Sequence, residues 1–179
     1  MDTRRTHVRK TAAPSTGFAK VLVPLDGSEA AERVLPYLER LKRATAEVFL
    51  LRAVASASQL VASSGAAPAP GMIDFVQLSE EGRREAQTYL DAIAARLRTR
   101  GVQSRSMVVL GDAAEAITQS ADDSDVDVIA MTTHGRGGIE RLVFGSVADA
   151  VLRGSTRPVF IVPVREGDRE KPADSGGTR

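Results

Sequence analysis

Val21-Leu22-Val23-Pro24-Leu25, followed at once by Asp26-Gly27-Ser28-Glu29, reads as a strand that ends in a turn and feeds a helix. Five consecutive apolar residues suit a strand buried on both faces, as in a parallel sheet covered by helices. Asp26 with Glu29 makes a capping-box-like helix start, and Ser28 offers a second cap one turn later. Ala31, Val34, Leu35, Leu38 and Leu41 then recur at helical spacing. Pro36 inside that stripe predicts a bend, because proline removes one backbone hydrogen bond.

The same alternation runs outward along the chain. Apolar runs at Val48–Val54, Met107–Leu110, Val126–Met131 and Val159–Val164 predict four further strands. Between them, Phe75–Arg100 keeps helical spacing through Ala86, Tyr89, Leu90, Ile93, Ala94 and Leu97, and Gly101 stands at the expected C-cap. Asp112 and Glu115 predict the start of a short helix through Ala116 and Ile117. Strands separated by helices give an α/β class: an open parallel sheet of five strands, helices on both faces, right-handed crossovers.

Composition narrows the function. With 179 residues, 42% hydrophobic and only 4% aromatic, the chain predicts one domain with an aliphatic core. The absence of Cys excludes disulfides, a thiolate zinc site and thiol catalysis. Two His, His7 and His134, exclude a multi-histidine metal centre. A net charge of +1 and seven aromatics argue against a nucleic-acid partner. No apolar stretch approaches the ~20 residues of a membrane span, and no secretory leader is visible, so a cytoplasmic protein without a membrane partner is expected. Residues 1–17 read as a flexible basic arm, 18–164 as the α/β domain and 165–179 as a disordered tail. Inside the domain, Ala, Ser, Gly and Pro fill fourteen of the twenty positions from 55 to 74, which predicts a flexible loop able to act as a lid.

The chemistry concentrates in Thr132-Thr133-His134-Gly135-Arg136-Gly137-Gly138-Ile139-Glu140-Arg141-Leu142-Val143-Phe144-Gly145-Ser146, which follows a buried strand and ends at a helix start. Glycines after a strand let backbone N–H groups approach an anion, and Gly145, Ser146 and Val147 would open a helix whose free N–H groups favour phosphate. Ser146 adds a hydroxyl. The same spacing also fits a plain glycine loop before a capped helix. Other phosphate motifs are missing: there is no Gly-x-x-x-x-Gly-Lys-Ser/Thr and no Gly-x-Gly-x-x-Gly after the first strand. His134 has no identifiable paired nucleophile or orienting carboxylate, so no residue is assigned as catalytic. Asp122-Asp123-Ser124-Asp125 reads as a solvated turn rather than a metal cluster, and no metal is assigned to protein side chains.

These stretches resemble the universal stress protein family. The nucleotide signature of its ATP-binding branch is Gly, two residues, Gly, nine residues, then Gly-Ser/Thr. Gly135, the nine residues Arg136 to Phe144, and Gly145-Ser146 match its last two parts, while Thr132 replaces the first glycine. Val23-Pro24-Leu25-Asp26-Gly27-Ser28 and Arg157-Pro158-Val159-Phe160-Ile161-Val162-Pro163 are similar to the family's opening and closing patterns. The resemblance implies a Rossmann-like sheet of order 3-2-1-4-5, of the adenine nucleotide alpha hydrolase-like type, with Asp26 and the glycine loop at one crevice. It implies that Pro24 and Asp26 meet the nucleoside, the carboxylate on the ribose hydroxyls, and that Ala53 offers backbone groups to adenine. Met131 and Thr132 would line the ribose and α-phosphate. His134 and Gly135 would enter the phosphate loop, and Gly145, Ser146 and Val147 would hold the phosphates. The ligand implied is ATP, with Mg²⁺ or Mn²⁺ held mainly through the phosphates. A homodimer through the last strand, Val159 to Val164, is implied as well. The function expected is a nucleotide-dependent stress-response regulatory or binding module. Two alternatives stay open: a dimer that no longer binds nucleotide, and a slow ATPase or adenylyl-transfer enzyme.

Overall fold

A computed structural model describes residues 17–65, 74–134 and 145–164, with the side chains of residues 39, 42–46, 134 and 164 outside the description. Five strands form one parallel sheet: β1 (Phe18–Pro24), β2 (Lys42–Val54), β3 (Gln103–Leu110), β4 (Val128–His134) and β5 (Val159–Val164). Their order is β3-β2-β1-β4-β5, so β1 is central and β3 and β5 are the edges. The helices are α1 (Glu29–Glu32), α2 (Leu38–Leu41), α3 (Ala57–Ser64), α4 (Phe75–Thr99), α5 (Ala113–Asp123) and α6 (Ser146–Gly154).

Strand alternation splits the core in two. Val21, Val23, Val48, Leu50, Val128 and Ala130 face one side, where they pack with Ala31, Val34, Leu35 and Leu38 and with Leu90, Ile93, Ala94 and Leu97 of α4. Leu22, Phe49, Leu51, Ile129 and Met131 face the other, against Ile117 and Ala121 of α5 and Ala148 and Val151 of α6. Val21, Leu22 and Val23 are wholly buried, which is why β1 reads as an unbroken apolar run.

Four boundaries depart from the sequence expectations. Pro36 does not merely bend a helix: α1 stops at Glu32, a 3₁₀ turn holds Leu35–Tyr37, and α2 is a separate short segment. Its ring and missing N–H forbid the continuous ladder. β2 begins at Lys42 and β3 at Gln103, through polar residues that pair with neighbours without adding to the apolar runs. β4 begins at Val128 and runs through Thr132, Thr133 and His134, which pair with Val162, Pro163 and Val164. Val126 is buried but lies before the strand, after Asp125 has turned the chain with φ 49°.

The stretch from 55 to 74 is not loop throughout. α3 opens with a full capping box, the Ser56 side chain accepting from the Gln59 backbone and the Gln59 side chain from the Ser56 backbone, and closes at left-handed Gly65. Residues 66–73 of that stretch, together with the arm 1–16 and the tail 165–179, lie outside the described residues.

α4 ends as its sequence predicts. Gly101, with φ 71°, donates to Arg98 O and Val102 donates to Leu97 O, the two bonds of a Schellman closure.

Candidate functional site

β1 and β4 are neighbours, and the connection leaving β1 leads outward to β2 while that leaving β4 leads outward to β5, in opposite directions. At such a switch point the loops splay apart and a crevice opens beyond the carboxyl ends of the strands. A cavity of about 520 Å³ lies there. Pro24, Asp26, Ala53, Met131, Thr132, Gly145, Ser146 and Val147 line it, residues drawn together from four separate parts of the chain. Of the other two positions singled out by sequence, His134 ends β4 with its side chain undescribed, and Gly135 lies outside the described residues.

The turn after β1 forms one rim. Leu25 N donates to Leu51 O at 2.8 Å, tying the start of the turn to the sheet. Gly27 then takes φ +90°, a region that L side chains rarely enter. Ser28 N donates to Asp26 Oδ1 at 2.9 Å, and Ser28 Oγ accepts from Ala31 N at 3.1 Å as the N-cap of α1. The helix is therefore capped by Ser28 rather than by Asp26, which lines the cavity.

The start of α6 forms the opposite rim. Its N-cap is Gly145, which has no side chain to satisfy the first amides, and Ser146, Val147 and Ala148 continue the lining. An uncapped helix start presents N–H groups and the positive end of the helix dipole. Two hydroxyl-bearing residues, Thr132 and Ser146, border the same space. Asp26 is the one charged side chain among the described lining residues.

Thr132 sits in extended backbone within β4, paired to Val162, and is 8% exposed. Among the described residues Asp125 is the one non-glycine with positive φ, so the threonine stands at its position without left-handed strain.

Six further described residues line the cavity: Leu25, Ala31, Leu51, Ala113, Ile117 and Ala148. Leu25, Ala31, Leu51, Ile117 and Ala148 belong to the hydrophobic core as well. Ala113 was detectable only as the neighbour of Asp112, which caps α5 through Ala114 N and Glu115 N at 2.9 and 3.0 Å.

Behind the β1 turn lies a second polar assembly. Arg52 stacks on Tyr89, its guanidinium carbon 5.3 Å from the ring centroid. The Tyr89 hydroxyl donates to Glu32 at 3.1 Å, and Arg96 donates to the other Glu32 oxygen at 2.8 Å. Burial, then the negative charges of Glu32 and Asp26, push the Tyr89 phenol above the ordinary tyrosine range, with Arg52 pulling against them. The acidic run at 122–125 is engaged elsewhere: Asp122 accepts from Thr156 and Arg157, and Asp125 pairs with Arg157 at 3.0 Å. Those bonds hold the Asp122 carboxyl below its usual range. Among the described residues no group of three His, Asp or Glu is arranged to hold a metal ion, and no helix is long and apolar enough to cross a membrane.

Fold and cavity define the class: a doubly wound α/β domain with a crevice where β1 and β4 part. The model of the universal stress protein family matches residues 17–163, and the chain belongs to that family. It is 28% identical over 156 residues to universal stress protein MJ0577 of Methanocaldococcus jannaschii, covering 83% of this chain and 96% of that protein. The solved structure of the same archaeal protein superposes with a TM-score of 0.66, covering 83% of this chain and 97% of that one. Two more distant structures share the fold. An Arabidopsis thaliana family member with AMP bound is 17% identical, with a TM-score of 0.58, covering 87% of this chain and 97% of its own. A universal stress protein in complex with cAMP is 22% identical, with a TM-score of 0.51, covering 82% of this chain and 98% of its own.

Proposed function

We propose that the cavity between the β1 turn and the start of α6 binds an adenine nucleotide, and that the protein is a nucleotide-dependent stress-response binding module of the ATP-binding branch. The observation that carries this reading is the convergence of a carboxylate, two hydroxyls and an uncapped helix start on one crevice of suitable size. Two family members with the same fold hold AMP and cAMP, which supports an adenine ligand.

Each part fits a portion of ATP. Asp26 accepts from the ribose hydroxyls, and Pro24 and Met131 pack the nucleoside. Ala53 offers its backbone to the adenine edge. Gly145, Ser146 and Val147 hold the phosphates through the first turn of α6, with Thr132 donating beside them. His134 and Gly135 lead into the loop that completes this end. Because the one charged side chain of the described lining is an acid, the phosphate charge calls for Mg²⁺ or Mn²⁺, bound mainly through phosphate oxygens. No catalytic residue is assigned.

The test is titration calorimetry on nucleotide-stripped protein with Mg²⁺. Saturable ATP binding near one per chain is expected. Silence in both calorimetry and a thermal-shift assay would remove the reading. We further propose a homodimer through the edge strand β5, where Val159, Phe160 and Ile161 remain only half buried. Light scattering behind size exclusion should give about twice the 19.0 kDa chain mass, and a monomer mass would overturn it.

A further inference from the structure

We infer that Pro163 and Ser155 fix the register in which a second copy of this chain pairs with the β5 edge, placing the two-fold axis at Phe160. This inference rests on the dimer reading above.

Successive residues of a strand turn their backbone groups to opposite sides. Ile129 N donates to Pro158 O, and the parallel pairing continues through Ala130–Phe160, Met131–Ile161 and Thr132–Val162. The even-numbered residues of β5 therefore carry the bonds to β4, while Val159, Ile161 and Pro163 turn theirs to the open edge. Val159 and Ile161 each present an N–H and a C=O there. Pro163 presents a carbonyl and no donor.

Two identical strands pair antiparallel about a two-fold axis, and the outward residues set opposite each other exchange both bonds. An axis at Ile161 sets Val159 against the second copy's Pro163. The Val159 carbonyl then has no donor, and a proline ring stands where the hydrogen belongs. An axis at Val162 does the same to Ile161. An axis at Val159 sets Ile161 against the second copy's Arg157, which has no bonds to exchange: its N–H donates to Ser155 Oγ and its carbonyl accepts from the same hydroxyl, both at 3.0 Å. Only the axis at Phe160 sets Val159 against Ile161 in both directions, two bonds from each pair, with every outward group of these residues satisfied. Pro163 then faces Arg157, where Ser155 has already taken the backbone groups and the missing N–H leaves nothing stranded. Pro163 itself is exposed, so its carbonyl ends the ribbon in water.

The side chains agree with this register. Phe160 packs on one face of the sheet beside Tyr37, ring centroids 6.4 Å apart, and Val159 and Ile161 pack on the other. Across the axis Phe160 meets its own counterpart, and on the opposite face Val159 meets Ile161. The open groups of this edge thus find their partners in the edge itself, so the occupant it fits is a second copy.

The chain has no cysteine, so a single introduced one can form a disulfide only with its counterpart in another chain. At the Phe160 axis the facing Cα atoms stand about 4.5 Å apart, within disulfide reach, whereas Ile161 and its counterpart are diagonal at about 7–8 Å and out of reach. Phe160→Cys and Ile161→Cys are oxidised with diamide and compared on non-reducing gels, after thermal melts and light scattering of the reduced proteins confirm fold and mass. Phe160→Cys should cross-link at least about fivefold more than Ile161→Cys. Adding Pro163→Ala to Ile161→Cys returns the missing donor and should raise its cross-linked yield at least about fivefold, as for two backbone hydrogen bonds regained. Should Phe160→Cys fail to fold, a mixture of Val159→Cys and Ile161→Cys chains should give the mixed disulfide over either self-linked one. Folded dimers that link more readily through Ile161→Cys, or an Ile161→Cys yield unmoved by Pro163→Ala, would overturn the inference and leave a β5 dimer standing. A monomer mass for wild type, or folded dimers that link at none of these residues, would overturn the β5 dimer itself, and this inference with it.

Discussion

Residues 25–28 and residues 145–148 border the same cavity, yet among the described residues the first stretch is bonded and packed in its turn while the second has no side-chain cap and open space beside Gly145. The β1 turn has its Asp26–Ser28 bond, its Ser28 cap and the Arg52 guanidinium packed against Gly27. At Gly145 an added Cβ would meet nothing within 4 Å among the described residues, the backbone has an ordinary φ of −62°, and no side chain caps the helix. A braced carboxylate loses little freedom when a sugar arrives, so that rim suits selectivity. Bare amides gain most when an anion arrives, so the α6 rim suits affinity.

The contrast breaks most visibly under valine substitution. Gly27→Val forces a β-branched residue to φ +90° and into Arg52, and should cost about 2–4 kcal/mol in urea unfolding. Gly145→Val should leave the melting temperature close to wild type while weakening ATP at least about tenfold by calorimetry, since its side chain projects where phosphate is proposed to lie. If the two substitutions behaved alike, the distinction between a braced and an open rim would be lost. Ser28→Ala should cost about 1 kcal/mol as a lost N-cap, measurable by the same unfolding curves.

The smallest effect concerns pH. The folded protein holds the Tyr89 proton more tightly than the unfolded chain does. Its contribution is therefore complete below the ordinary tyrosine pKa of about 10 and declines as pH rises beyond it. Urea melts at pH 8 and pH 10.5 should show a steeper decline for wild type than for Tyr89→Phe. Equal slopes would detach Tyr89 from the brace.

Why some of this was visible in the residues and some was not has physical reasons. β1 announces itself because both its faces are buried, and α4 because its stripe from Ala86 to Leu97 runs for about three turns to a glycine closure. The polar starts of β2 and β3, and the Thr132–His134 end of β4, carry no such pattern; only pairing with adjacent strands makes them strand. α3 was hidden by a composition of Ala and Ser that lowers the expectation of order, although Ser56 and Gln59 stand at capping-box spacing. The separation of cavity residues along the chain also matters. Asp26 and Ser146 meet only through the strand order, which came from the family resemblance and not from periodicity. Arg52 escaped notice because alternation points it away from the cavity its neighbours line.

A central β1 also orders events during synthesis. Everything through Leu110 is enough to assemble β1, β2 and β3 as a half-sheet, with β1 as its exposed edge until β4 emerges. Only then do α6 and its amides come within reach of Asp26. A ribosome stalled anywhere before residue 145 therefore displays a nascent chain with one rim and no cavity. Retention of a nascent chain on an immobilised nucleotide would mark the emergence of α6.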